Sequence, residues 1–193
     1  MEAFRSWLRE VVPPVTVVLA VVLVITVAFF FLSGPAARIG TLRSVSTIPV
    51  KVGEVVSLGL AVGLLVCVAE RRLDVPLLTL AVAFVALIAV DHLPSAFGIP
   101  QPIRPAHTFA FLAAEVVAFR VAFRTRPELL ALAVATWFAH IAGDTGVFAF
   151  FAPFSFDYGP LGPYRLPFAV VSVVFAIATG FLVRRRQIAL SVP

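Results

Sequence analysis

Six apolar runs, separated by short polar stretches, organise this chain: Val15–Leu32, about Val52–Ala69, about Pro76–Val90, about Ala106–Phe123, about Glu128–Phe151 and about Leu166–Val183. The first holds 18 residues without a charge. As a helix it rises roughly 27 Å, close to the hydrocarbon thickness of a bilayer. None of the runs alternates apolar and polar residues as a barrel strand does. Helices are the other way to satisfy backbone groups in lipid. The pattern therefore predicts an all-α integral membrane bundle of about six transmembrane helices, a single transmembrane domain over residues 1–193. The first run is too long for the apolar stretch of a cleaved signal, and Glu2 and Glu10 dilute its basic start. A retained first helix is expected, although the SGPAAR that follows offers a place to cut.

Composition sharpens this picture. The chain is 61% hydrophobic and 13% charged, with a mean hydropathy of +1.07, and so few charges cannot cover a water-soluble globule. A net charge of +5, taken alone, points towards nucleic acid. The basic residues instead fall in short clusters between the apolar runs, as in loops bordering a membrane, so no nucleic-acid partner is expected. With six spans, one side carries Arg5, Arg9, Arg71, Arg72, Arg120, Arg124, Arg126, Arg184, Arg185 and Arg186. The other carries Arg38, Arg43, Lys51, Arg104 and Arg165. The richer side should be cytoplasmic, which makes a multi-pass protein of the cell membrane with both termini in the cytoplasm. The lone Cys67 excludes an intramolecular disulfide and a cysteine-rich metal site, and reads as a small buried hydrophobe. Gly59 and Gly63, in GLAVG, form a small-xxx-small pattern suited to close helix packing. Trp7, Trp137, Tyr158 and Tyr164 fall mostly near predicted helix ends, as interfacial aromatics do.

Ionisable groups inside apolar runs are costly and mark function or a specific partner. Asp91 and His92 finish the third predicted helix, and His107 opens the fourth from the same side. His140 lies about 18 Å up the fifth and Asp144 about 24 Å, one turn apart on one face. Every histidine of the chain is thus delivered to a similar depth, together with two aspartates. Imidazole and carboxylate suit zinc, and also manganese or iron. Asp91, His92, His107, His140 and Asp144 are the candidate metal ligands. Asp144 or Glu115 is the candidate general base. Arg104 is positioned to clamp a phosphate or carboxylate of a substrate, or to snorkel to the interface. The spacing contains no HExxH or comparable zinc signature. Interhelical polar packing and an ion or proton path account for the same residues and stay open.

The stretch VDHLPSAFGIPQPIRPAHTFAF resembles the D-x-D-H … H-R-G-x-T-H-S core of the YdjM-like family of membrane-bound metal-dependent hydrolases. FAHIAGDTGVFAFFAPFS is similar to that family's later block, a helix with H-x-x-x-D followed by a Pro-Phe turn. The resemblance spans about 65 residues, Ala89 to Phe154. It implies that Asp91, His92, His107, His140 and Asp144 form the polar core and that Arg104 is the family's arginine. The chain departs from the pattern at Ala89, Ile103 and Pro105, where the family has Asp, His and Gly. It also has no histidine in STIPVKVGEVV, where Glu54 is the one available substitute.

Together these readings predict a membrane-embedded metal-dependent hydrolase of an ester or phosphoester, with a small-molecule or lipid-derived substrate. Membrane lipids are the other expected partner. The proline-rich loop Leu93–Ala106 would be a rigid lid. The loop APFSFDYGPLGPYR, with Asp157 and Tyr158, would form the opposite wall. The alternative is a non-catalytic membrane protein: a metal- or ion-binding transporter, or a structural bundle.

Overall fold

The computed structural model describes residues 48–92, 104–144, 147–151 and 159–191. The first apolar run, Val15–Leu32, lies outside these residues, as does Trp7. Among the described residues five α-helices follow one another: α1 Ile48–Glu70, α2 Val75–Ala89, α3 Phe109–Ala122, α4 Pro127–Gly143 and α5 Arg165–Ser191. A two-residue antiparallel pair, β1 Val147–Phe148 with β2 Gly159–Pro160, closes the segment between α4 and α5.

Among the described residues three helical stretches are long and apolar enough to cross a membrane, Val52–Glu70, Val75–His92 and Gly162–Ser191. This is fewer than the six expected. The helix in the fourth run has 14 residues, because the chain enters it through a 3-10 turn over Pro105–His107, and Thr108 caps it. The helix in the fifth has 17 residues and ends at Gly143, well before Phe151. At 1.5 Å per residue these two rise about 21 and 26 Å.

Local chemistry sets the helix ends. Asp74 caps α2 by accepting a hydrogen bond from the Leu77 amide at 3.0 Å, with Pro76 in the first turn. Thr108 caps α3: its hydroxyl accepts from the Phe111 amide at 3.1 Å and donates to the Pro105 carbonyl at 2.8 Å. α1 stops where Arg71 turns left-handed, φ 63°, and the Arg72 amide reaches back to the Cys67 carbonyl at 3.1 Å.

Small residues bring the helices together. A side chain at Gly63 would strike Leu78, and one at Gly59 would strike the Val82 backbone, so GLAVG is the α1–α2 contact. A Cβ at Gly180 would lie 2.5 Å from the Val66 carbonyl oxygen, so α5 also lies directly on the α1 backbone. The end of α5 is tied down twice: Gln187 donates to Glu70 at 2.7 Å, and Arg186 to Glu128 at 2.6 Å. Glu128 also takes a hydrogen bond from Arg126 at 2.9 Å.

The distribution of side chains suits an apolar surrounding. Val68, Val117, Val121, Val174, Phe181 and Leu190 are exposed. Asp91, His92, His107, Glu115, Glu128, His140 and Asp144 are buried. Trp137 is not the interfacial aromatic its sequence position suggests. It is fully buried in the middle of α4 and donates its indole N–H to the Ala106 carbonyl at 2.7 Å. Tyr164, just before α5, is exposed; Tyr158 lies outside the described residues.

Candidate metal centre

The centre is assembled at one end of the bundle from four places in the chain. α2 tightens into a 3-10 turn over Val90–His92, which buries both Asp91 and His92. His107 ends the 3-10 turn before α3. That turn is braced from α4 by the Trp137 indole on Ala106, and from beyond β1 by the Phe109 amide, which donates to the Phe150 carbonyl at 2.9 Å. His140 lies in the last turn of α4, and Asp144 caps it, its amide donating to the His140 carbonyl at 3.1 Å.

The three imidazoles form a nearly equilateral triangle, with ring centroids 5.2, 5.3 and 5.1 Å apart. His92, His107, His140 and Asp144 each offer one ligand atom, all four atoms lie within 4.8 Å of one another, and all four residues are buried. This group could hold a metal ion. His92 Nε2 is 3.3 Å from His140 Nε2 and 3.4 Å from Asp144 Oδ2. A tetrahedron with ligand bonds of 2.0–2.1 Å has edges of about 3.3 Å, so these separations match a small divalent ion.

Asp91 stands beside the four. Its Oδ2 accepts from His107 Nδ1 at 2.9 Å and from the Ala106 amide at 3.2 Å. Its Oδ1 has no hydrogen-bond partner among the described residues and faces His92 Nε2 at 3.8 Å. A carboxylate that takes the Nδ1 proton of a histidine leaves Nε2 as the metal-binding nitrogen and fixes the ring. Asp91 supplies that contact from outside the four-residue group.

Asp144 is an anion at a helix C-terminus, where the backbone dipole favours a cation. Cationic partners offset this. Arg104 Nη1 donates to Asp144 Oδ2 at 2.8 Å, and Arg165 Nη2 donates to the Asp144 carbonyl at 2.6 Å. His107 Nε2 lies 2.9 Å from the same Oδ2.

Four of the five expected ligands thus form this group; Asp91 is hydrogen-bonded to it through His107, and Arg104 through Asp144. Glu115 does not join them. It sits two turns into α3 on the buried face shared by Phe111 and Phe119, and neither of its carboxylate oxygens has a hydrogen-bond partner among the described residues. Glu54, half-buried in α1, is also outside the group. Of the Leu93–Ala106 loop, residues 93–103 lie outside the described residues, as do Asp157 and Tyr158. In the sequence Arg165 reads only as a loop charge and Trp137 only as an interfacial aromatic. An arginine at the head of a helix, next to the loop that follows Asp144, was the available signal for the first. The Trp137 brace had none.

No family model, no curated protein and no solved structure matches this chain.

Proposed function

We propose that this chain is a multi-pass membrane hydrolase of the YdjM-like kind that uses a divalent metal, zinc or manganese, to cleave an ester or phosphoester. The observation that carries the reading is the convergence of three imidazoles and Asp144 within 4.8 Å, all buried, from elements far apart in sequence. Buried imidazoles and carboxylates at bonding separations, inside a bundle with an apolar exterior, are expensive to keep without a ligand. Bound there, a divalent ion supplies Lewis acidity at the reacting centre.

The chain's own residues would divide the work. His92, His107 and His140 hold the ion. Asp91 orients His107 and can lend its second oxygen. Asp144 serves as ligand or base, with Glu115 as a more remote base candidate, and Arg104 orients an anionic group of the substrate. The arginine-rich end of the bundle, with Arg184–Arg186, faces the cytoplasm, so the centre lies towards the opposite side.

A second reading has its own observation. Arg104, Asp144, His107 and Asp91 already form a hydrogen-bonded chain, as a polar lock between helices or a step in an ion path would. Metal content by mass spectrometry on detergent-purified protein separates the two. About one or two equivalents of zinc or manganese, lost in both His140→Ala and Asp91→Ala, is the result expected of a hydrolase centre. No metal in wild type after reloading, with all three proteins folded, overturns it in favour of the polar lock.

A further inference from the structure

The metal centre has a charge problem that the two arginines make explicit. Asp91 and Asp144 contribute two negative charges. Arg104 and Arg165, both hydrogen-bonded to Asp144, contribute two positive ones. Histidines that bind a metal through Nε2 are neutral. The side chains therefore cancel, and a divalent ion leaves the centre with a net charge of about +2. In a site of low dielectric such an excess is costly unless an anion completes it.

The arginines also mark where the anion would sit. Arg104 reaches Asp144 Oδ2 from the turn before α3, and Arg165 reaches the Asp144 carbonyl from the head of α5. Two guanidiniums thus meet on two oxygens of one residue, which is itself in the metal-binding group. Arg165 is exposed and the Arg104 side chain keeps 20% of its surface, whereas the three histidines are buried. Guanidinium presents its N–H donors as a planar fork that matches the oxygens of a phosphoryl group.

We infer that Arg104 and Arg165 form an anion subsite over the metal centre, and that the group it takes is a phosphoryl carrying two negative charges or approaching two on reaction. The inference rests on the metal-centre reading and narrows its substrate class from esters in general to phosphoesters. A carboxylic ester, neutral in its ground state and singly negative at its tetrahedral intermediate, offsets less of that charge.

The test is binding of inorganic phosphate to the zinc-loaded full chain in nanodiscs, by calorimetry, with bound zinc counted in every sample. Wild type should bind phosphate saturably only when zinc is present. Arg165→Gln and Arg104→Gln should keep their zinc and weaken phosphate by roughly ten-fold or more, with partial recovery in Arg165→Lys. Arg120→Gln, at the far end of α3, should match wild type. Retained zinc with phosphate affinity unchanged in both glutamine variants overturns the subsite and leaves the metal centre standing. Absence of zinc from wild type overturns the centre, and the subsite with it. Competition then separates two sources of the same chemistry. Displacement by phosphatidic acid in the nanodisc assigns a lipid headgroup, and displacement by glycerol phosphate alone assigns a soluble phosphoester. If neither displaces phosphate, the phosphoester assignment is wrong.

Discussion

Asp91 holds His107 by the nitrogen opposite the one that meets Asp144: Oδ2 lies 2.9 Å from Nδ1 and also takes the Ala106 amide at 3.2 Å. One oxygen thus fixes both the ring and the backbone turn that carries it. Asp91→Asn keeps the shape but presents either a carbonyl or an amide to Nδ1, and weakens the preference for a bare Nε2. Metal affinity, measured by competition with a chromophoric chelator, should fall about 10- to 100-fold. Wild-type affinity in this variant would deny Asp91 its orienting part.

Metal binding should also register as stability. A ligand that binds only the folded chain at about 100 times its Kd adds about 2.7 kcal/mol. Zinc should therefore raise the thermal midpoint of the purified protein, and a chelator should return it. The same titration on His140→Ala should show little or no shift, since a buried ligand from the last turn of α4 is missing.

At Gly180 the bundle has no room for a side chain, because a Cβ would lie 2.5 Å from Val66 O and 2.6 Å from the Ala69 methyl. Gly180→Val should force α5 off α1 and cost about 1–3 kcal/mol. Gly53 has nothing within 4 Å of the same position, so Gly53→Ala should be neutral or mildly stabilising. Unfolding in mixed detergent compares the two.

The latch at the other end of the bundle predicts an unequal pair. Glu128 is buried and receives both Arg126 and Arg186. Glu128→Ala leaves two guanidiniums without their shared acceptor and should cost about 2 kcal/mol. Arg186 has a partly exposed side chain, and Arg186→Ala should cost less than about 1 kcal/mol. The same detergent unfolding assay ranks them.

What the sequence made legible follows from contrast. Three histidines and two aspartates are conspicuous among runs of Val, Ala, Leu and Phe, and equal depth was enough to gather them. The close packing at Gly59 and Gly63 was equally visible as a spacing. Helix limits were harder. The 3-10 turn before α3 depends on Pro105, and on Thr108 bonding back to the Pro105 carbonyl, a local choice that an apolar count does not register. Trp137 was misplaced because a tryptophan's burial depends on finding one acceptor, the Ala106 carbonyl, 31 residues away in sequence. Arg165 escaped for the same reason, since its partner is a backbone oxygen and backbone oxygens leave no trace in composition.

His92 and His140 meet at 3.3 Å across 48 residues of chain. At ribosomal speeds of about 5–20 residues per second, roughly 2 to 10 s separate their synthesis. During that interval the α1–α2 hairpin can enter the bilayer, while Asp91 and His92 have none of their later neighbours. They follow α2 in its closing 3-10 turn, and His140 and Asp144 come from the far end of α4, so the centre cannot form until the last turn of α4 has been made.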